Sequence, residues 1–321
     1  MLAWLRALFA ESPLQLYRGY EPADIDLVRR YTTARAALHD DHYVDGFGVK
    51  TSYACVPFED PATFSARRLQ SPFPDDSFHA EGIEYVALVD AIDRFSGDDT
   101  FCAVEAGAGW GPWLAMAGVV CRSQKVEKIR LIGLEASAKR FALMAEHLEF
   151  NELDAEHGVA VELFEGAVWS HDGVIYFPDS DLADMGAAAS AASISRDYRG
   201  HAVSTREVPC TRLSSLVGDD SEVDFLHVDV QGAEGNVIAS HLEWLNRSVK
   251  SLMVATHSRP LEGELMTLLN AHDWVLMREK PCRFDAGKVM EDWCGATTAD
   301  GSQYWINGKF TEIASNGRQY D

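Results

Sequence analysis

Positive charge is scarce in this chain: Lys and Arg total 28 against 50 Asp and Glu, a formal net charge of −22 over 321 residues. A free polyanion would meet a repulsive average field, so nucleic acid is not an expected partner. Cysteine is sparse as well. Cys55, Cys102, Cys121, Cys210, Cys282 and Cys294 never reach CxxC spacing, and a chain of this size needs no covalent staples, which points to buried thiols. No apolar run approaches the roughly 20 residues that span a bilayer. The apolar opening from Met1 to Ala10 is broken by Glu11 and Pro13. Its expected place is against the protein's own core rather than a membrane surface, and no small-residue cleavage site follows a basic region, so a cytoplasmic protein is expected. Also missing are an internal repeat, a G-x-x-x-x-G-K-[ST] loop and a G-x-S-x-G elbow. Solenoids, nucleotide hydrolysis and serine-nucleophile chemistry are set aside accordingly.

Apolar residues make up 47% of the chain, and its length allows two domains or one large α/β unit. Residues 1–98 read as an N-terminal extension or cap. A helical stretch runs from about Ala23 to Leu38, and Gly46 and Gly48 inside the run from His42 to Pro57 suggest a short hairpin. A helix is expected from about His79 to Phe95, with Asp75, Asp76 or Ser77 available to cap its first amides. From Thr100 the pattern changes to short apolar strands alternating with amphipathic helices, the mark of a parallel sheet covered on both faces. The expected strands are Phe101–Glu105, Ile129–Glu135, Ala160–Phe164, Val223–Asp229, Ser251–Thr256 and Trp274–Met277. Helices fit Pro112–Cys121, Ala138–Asn151, Ala233–Leu245 and Leu261–Asn270. Residues 179–208, rich in small side chains and poor in bulky ones, read as a flap or a solvated loop within this 99–321 domain. The tail near Tyr304 and Ile306 reads as an edge hairpin of the same sheet.

The most informative run is Ala103-Val-Glu-Ala-Gly-Ala-Gly-Trp-Gly-Pro-Trp113, which sets Gly107, Gly109 and Gly111 at alternate positions between a strand and a helix. Glycine there lets the backbone turn tightly and approach a ligand without a Cβ in the way. A dinucleotide fold would want G-x-G-x-x-G and free helix amides for pyrophosphate, whereas here Glu105 stands at the strand end. A carboxylate suits a ligand carrying an ammonium and a sulfonium, as S-adenosylmethionine does. The second strand also ends in a carboxylate, Glu135, 24 positions beyond Gly111, where a ribose diol is gripped in such folds. The competing reading is a tight turn with Glu135 and Ser137 serving only the next helix. Trp110, inside the loop, reads either as a core residue or as a ligand platform.

From about Thr100 to Met277 the chain resembles the FkbM family of S-adenosylmethionine-dependent methyltransferases. The matching elements are Val104-Glu-Ala-Gly-Ala-Gly-Trp-Gly111, Gly133-Leu-Glu-Ala-Ser137, Gly166-Ala-Val168 and the run from Val223 to Glu234. Where the family pattern reads Asp-x-Glu-Gly-x-Glu this chain has Asp229-Val-Gln231-Gly232-Ala233-Glu234, and of the family's Glu-x-His it keeps only His257. The resemblance implies a class I methyltransferase fold: a Rossmann-like, mostly parallel seven-stranded sheet with helices on both faces. It also implies O-methylation of a glycan, sugar or glycosylated natural product. By this likeness Glu105 and Gly107 would lie near the cofactor's methionine part, Glu135 at its ribose, and Glu165, Gly166 and Ala167 near its adenine, with Ala108, Gly109, Trp110, Gly111 and Ala136 completing the cofactor-binding set.

Asp229 and His257 each close an apolar strand, so both are expected at the carboxyl edge where ligands sit. Methyl transfer asks mainly for in-line positioning, but an alcohol must lose its proton. His257 is the expected general base, with Asp229 orienting the hydroxyl and bordering the cofactor. Asp229, Glu234 and His257 also offer a mixed oxygen and nitrogen set for a divalent ion, which this reading does not require. Two rival readings stay open: a nicotinamide-dependent oxidoreductase on a Rossmann-like sheet, and a non-catalytic cofactor-binding module. Acceptor identity and homo-oligomerisation stay open too.

Overall fold

The alternation that begins at Thr100 assembles one seven-stranded sheet. The computed structural model describes residues 19–70, 80–96, 99–288 and 293–310. The apolar opening and the candidate caps Asp75, Asp76 and Ser77 lie outside the described residues.

The first helix, α1 (Pro22–Tyr31), starts with Pro22 in its first turn and a reciprocal capping box between Glu21 and Asp24. It stops at Tyr31 rather than running on to Leu38. Two threonines follow, stiff at χ1, and the Thr32 hydroxyl turns back to donate to the Arg29 carbonyl at 3.1 Å. The chain then forms a small antiparallel sheet of β1 (Ala37–Leu38), β2 (His42–Val44) and β3 (Lys50–Ser52), whose last two strands are the expected hairpin. After α2 (Ala66–Gln70), helix α3 (Gly82–Asp93) begins later than His79, because Glu81 and Glu84 cap it reciprocally.

The main unit follows as β4 (Phe101–Ala106), α4 (Pro112–Ser123), β5 (Ile129–Glu135), α5 (Ala138–Phe150) and β6 (Val159–Glu165). Next come β7 (Ala167–Val168), β8 (Gly173–Pro178), β9 (Thr205–Thr211) and α6 (Leu213–Val217). The chain continues through β10 (Val223–Val228), α7 (Glu234–Ser248), β11 (Val249–Thr256), α8 (Arg259–Asn270), β12 (Trp274–Lys280) and β13 (Arg283–Phe284). It closes with α9 (Trp293–Ala296), β14 (Thr297–Ala299) and β15 (Gly301–Asn307). The sheet order is β12-β15-β11-β10-β4-β5-β6. Strands β6, β5, β4, β10 and β11 run parallel, and β15 enters antiparallel between β11 and β12. The tail strand thus belongs to an antiparallel pair at the sheet's edge, as expected, with β12 outermost and β15 the inner member. Its seven residues are all buried, so an edge position would leave Tyr304, Trp305 and Ile306 in water. This is the class I methyltransferase architecture.

Alternation along the strands divides the core. Ala103, Phe225, Met253 and Tyr304 pack under α3, α4 and α5. Val104, Leu226, Val254 and Trp305 pack under α6, α7 and α8. Helix α3, from the N-terminal extension, is thus part of the sheet's own cover. Strands β7, β9 and β8 form a separate three-stranded sheet. Thr205 to Val208 belong to β9, so the expected flap ends at Ser204; Val208 and Cys210 pack with Ile175 and Phe177 in a small core of their own. Among the described residues no helix is long and apolar enough to cross a membrane.

Candidate functional site

Parallel β4 and β10 diverge toward helices on opposite faces, and ligands in such sheets sit in the crevice at the carboxyl ends of those strands. Gly107, Gly109 and Gly111 all adopt left-handed backbone, with φ of 77°, 57° and 70°. A Cβ on Gly107 would stand 1.7 Å from the Asp229 carbonyl oxygen, so this glycine is what lets the loop pass β10. The amides of Gly107 and Ala108 donate to the Leu134 carbonyl. The Gly109 amide donates to Glu135 Oε2 at 2.8 Å, and the Ser137 amide to Oε1 at 2.7 Å. Burial raises the Glu135 pKa and these amides oppose it. Glu135 thus ties the glycine loop to the start of α5.

A cleft opens here, bordered by Gly107, Gly109, Glu135, Ala136, Gly166, Ala167 and Asp229. Other expected residues stand behind it. Glu105 is buried, accepts the Leu114 amide at 3.0 Å and so caps α4; burial pushes its carboxyl up to about 8. Trp110 is buried against Phe58, and its carbonyl meets His147 Nδ1 at 3.0 Å, so it joins the glycine loop to the N-terminal extension. Ala108 sits in the core, Gly111 packs on Met144, and Glu165 at the exposed end of β6 does not border the cleft. Sequence reasoning missed the opposite wall, made by Trp169, Phe177, Met185, Ala187 and Ala189, and also Arg140. For Met185, Ala187 and Ala189 the signal was the stretch poor in bulky residues that holds them, of which Ala187 is buried and Met185 exposed; Trp169, Phe177 and Arg140 lie outside it and gave none.

Beside Gly107, Asp229 follows the last residue of β10, its side chain one-third exposed. Gln231 Nε2 donates to Asp229 Oδ1 at 2.8 Å, and His257 Nε2 lies 3.4 Å from the same oxygen. The other ring nitrogen of His257 lies 2.9 Å from Glu234 Oε1. Glu234 is fully buried and accepts the amides of Val230 and Gly232 at 2.9 to 3.1 Å. Burial disfavours the imidazolium of His257, but Glu234 and then Asp229 outweigh it and lift its pKa to about 10. Burial raises Asp229 to about 6 against the pull of His257 and His227. Burial also works against Glu234, but the His257 charge prevails and holds it below its ordinary value. The three side chains bring ligand-type atoms within 4.8 Å of one another. A protonated His257 has no lone pair to give a cation, so in this state the cluster is an ion-pair network. His227 is packed rather than exposed, with Nε2 3.0 Å from Glu84 Oε1.

The methyltransferase FkbM domain model matches residues 117–276. A protein from Jannaschia sp. (strain CCS1), provisionally assigned as a methyltransferase, is 30% identical over 234 residues, covering 68% of this chain and 77% of that protein. Among solved structures, methyltransferase FkbM from Methylobacillus flagellatus KT is 11% identical with a TM-score of 0.36, covering 70% of this chain and 54% of that one. The ribosomal protein L11 methylase from Lactobacillus delbrueckii subsp. bulgaricus is 9% identical with a TM-score of 0.34, covering 71% and 80%. Likenesses so distant carry no argument about substrate.

Proposed function

The chain belongs to the FkbM methyltransferase family, and from that premise we propose that it methylates a hydroxyl of a glycan, sugar or glycosylated natural product with S-adenosylmethionine as donor. Family membership sets the oxidoreductase reading aside. The observation that carries the proposal is one cleft bordered by Glu135, by the glycine loop and by Asp229.

The cleft fits the cofactor on its own chemistry. A Cβ on Gly109 would meet only Met185 Cε, at 3.9 Å, so the loop leaves a cradle that any side chain would fill. Glu135 has both oxygens engaged by amides yet borders the cleft, where its remaining lone pairs suit the ribose diol. Gly166, Ala167, Phe177 and Ala187 give the cleft small and apolar lining, which suits the adenine. When bound, the cofactor supplies an electrophilic methyl on a sulfonium. The protein aligns the acceptor hydroxyl with that methyl and receives its proton.

For the proton, geometry favours Asp229 over His257. Asp229 borders the cleft, while His257 is buried behind it and already holds a proton between two carboxylates. In this reading Asp229 accepts the hydroxyl proton, and His257 fixes the carboxylate and balances its charge. Gln231, in place of the family acid, donates to Asp229 rather than competing for the proton. The test is methyl transfer from S-adenosylmethionine to a panel of neutral sugars and glycosides, with Asp229→Asn beside the wild type. The variant is expected to lose at least about 100-fold in kcat, the usual reach of general-base catalysis, while S-adenosylhomocysteine still binds. Binding without turnover on any acceptor would favour a cofactor-binding module instead, and an active Asp229→Asn would move the base elsewhere.

A further inference from the structure

Arg140 lies in the first turn of α5, five residues beyond Glu135, and is almost fully buried although it carries a permanent charge. One of its terminal nitrogens donates to the backbone carbonyls of Asp181 (3.3 Å), Leu182 (3.5 Å) and Asp184, all in the segment 179–204. That segment has no helix or strand of its own; two isolated bridges, Tyr176 with Ser190 and Arg196 with Ala202, are its only ladder contacts. Its internal tie is Arg199, which grips Asp184 at 2.5 and 3.0 Å and Asp197 at 2.8 Å. Met185, Ala187 and Ala189 of the same segment border the cleft, and so does Arg140 itself. Arg140 Nε is buried and finds no hydrogen-bond partner among the described residues. A buried N–H on a guanidinium is costly to leave unpaired.

The geometry points to Arg140 as a cofactor-binding residue that couples adenosine binding to the order of residues 179–204: bordering the cleft, the guanidinium turns toward it to give Nε–H to an acceptor atom of the bound nucleoside while its outer nitrogen keeps hold of the segment's carbonyls. This rests on the proposed S-adenosylmethionine site and adds to it a link between occupancy and the shape of the wall. The link works through shared donors. As it stands Nε is sealed from the cleft with its N–H unpaired; an acceptor on the ligand removes that cost once the guanidinium turns toward it, fixes the guanidinium in one orientation, and so steadies the bonds it already makes to the carbonyls of Asp181, Leu182 and Asp184. The same ordered wall would cover the adenine beside Gly166 and Ala187 and keep water from the methyl-transfer end.

The experiment is S-adenosylhomocysteine titration of the full chain by calorimetry, combined with hydrogen exchange, for wild type, Arg140→Gln and Arg140→Lys. In the wild type, the ligand should slow amide exchange in 179–204. Arg140→Gln should bind about 10- to 100-fold more weakly, the span expected for losing a charged donor, and at saturating ligand should leave 179–204 exchanging at its unliganded rate while residues 105–111 are still protected. Arg140→Lys keeps the charge and most of the packing but loses the fork, so it should fold, bind with intermediate affinity and recover only part of the protection. Wild-type affinity and wild-type protection of 179–204 in both variants would overturn the inference. Failure of the wild-type protein to bind S-adenosylhomocysteine at all would instead overturn the cofactor site on which the inference stands.

Discussion

At Gly107 the backbone of two strands competes for the same space. Its φ of 77° is one that side-chain-bearing residues adopt at a cost, and a Cβ there meets the Asp229 carbonyl oxygen at 1.7 Å. Gly107→Ala should therefore destabilise by more than about 3 kcal/mol in urea unfolding, strain and clash together. Gly263, inside α8 with nothing within 4 Å of an added Cβ, provides the contrast: Gly263→Ala should stabilise by about 0.5–1 kcal/mol. The same single-residue logic governs His257. Its pKa is raised from 6.5 to about 10 on folding, so its contribution is fully present below 6.5 and fades as pH climbs through 10. The Tm gap between wild type and His257→Gln should shrink steadily between those limits, and a gap that does not change with pH would deny the ion-pair network. Asp229 sets the opposite edge for catalysis: kcat/KM should rise as pH passes about 6, because the carboxylate must be ionised to accept a proton.

Helix α3 is held to the sheet by more than apolar contact. Ile83 and Leu88 pack on the β4 and β10 face, and above them Glu84 Oε1 meets His227 Nε2 at 3.0 Å while its other oxygen accepts the Glu81 amide at 2.6 Å. Burial opposes charge on His227, but Glu84 and Glu105 raise its pKa above the ordinary value. Removing one partner of a buried pair leaves the other uncompensated, so Glu84→Ala should cost about 3 kcal/mol at pH 6, measured by urea unfolding. Above the ordinary histidine pKa the cost should fall as His227 sheds its proton. This contact was invisible in the sequence, because the two residues are 143 positions apart and Glu84 lies in no motif that would pair it with His227. What the sequence did carry was the strand and helix rhythm of the parallel sheet and the two strand-end carboxylates. Periodicity reports local burial, so β5 was legible to the residue. Two facts escaped it for physical reasons. β15 is buried on both faces, and nothing local tells the inner strand of an edge pair from the outer one. Glu105 stands at a strand end as a ligand contact would, but its carboxylate is taken by the first turn of α4, a partner available only once strand and helix have docked.

Across the whole molecule the net charge of −22 acts on any ligand before contact is made. Around this cleft the carboxylates of Glu135, Asp229 and Glu234 are answered only in part by Arg140 and the protonated His257, so the local balance has the same sign. A sulfonium cofactor is drawn in by that field, whereas a dinucleotide with its pyrophosphate is repelled. The thermal-shift consequence is direct: a ligand at about 100 times its Kd adds roughly 2.7 kcal/mol. S-Adenosylmethionine and S-adenosylhomocysteine should therefore raise Tm by several degrees, and NAD should not; a response to NAD alone would mean the glycine loop holds another ligand. Salt separates the two sulfur ligands further. The sulfonium of S-adenosylmethionine carries one more positive charge than the thioether of S-adenosylhomocysteine, and going from about 50 mM to 500 mM salt shortens the screening length from more than 10 Å to less than 5 Å. The affinity of S-adenosylmethionine should fall more steeply with salt than that of S-adenosylhomocysteine. Equal slopes would mean that the field at the sulfur is set only by close, buried partners such as Asp229, which salt screens poorly, and that the acidic surface takes no part in drawing the cofactor to its cleft.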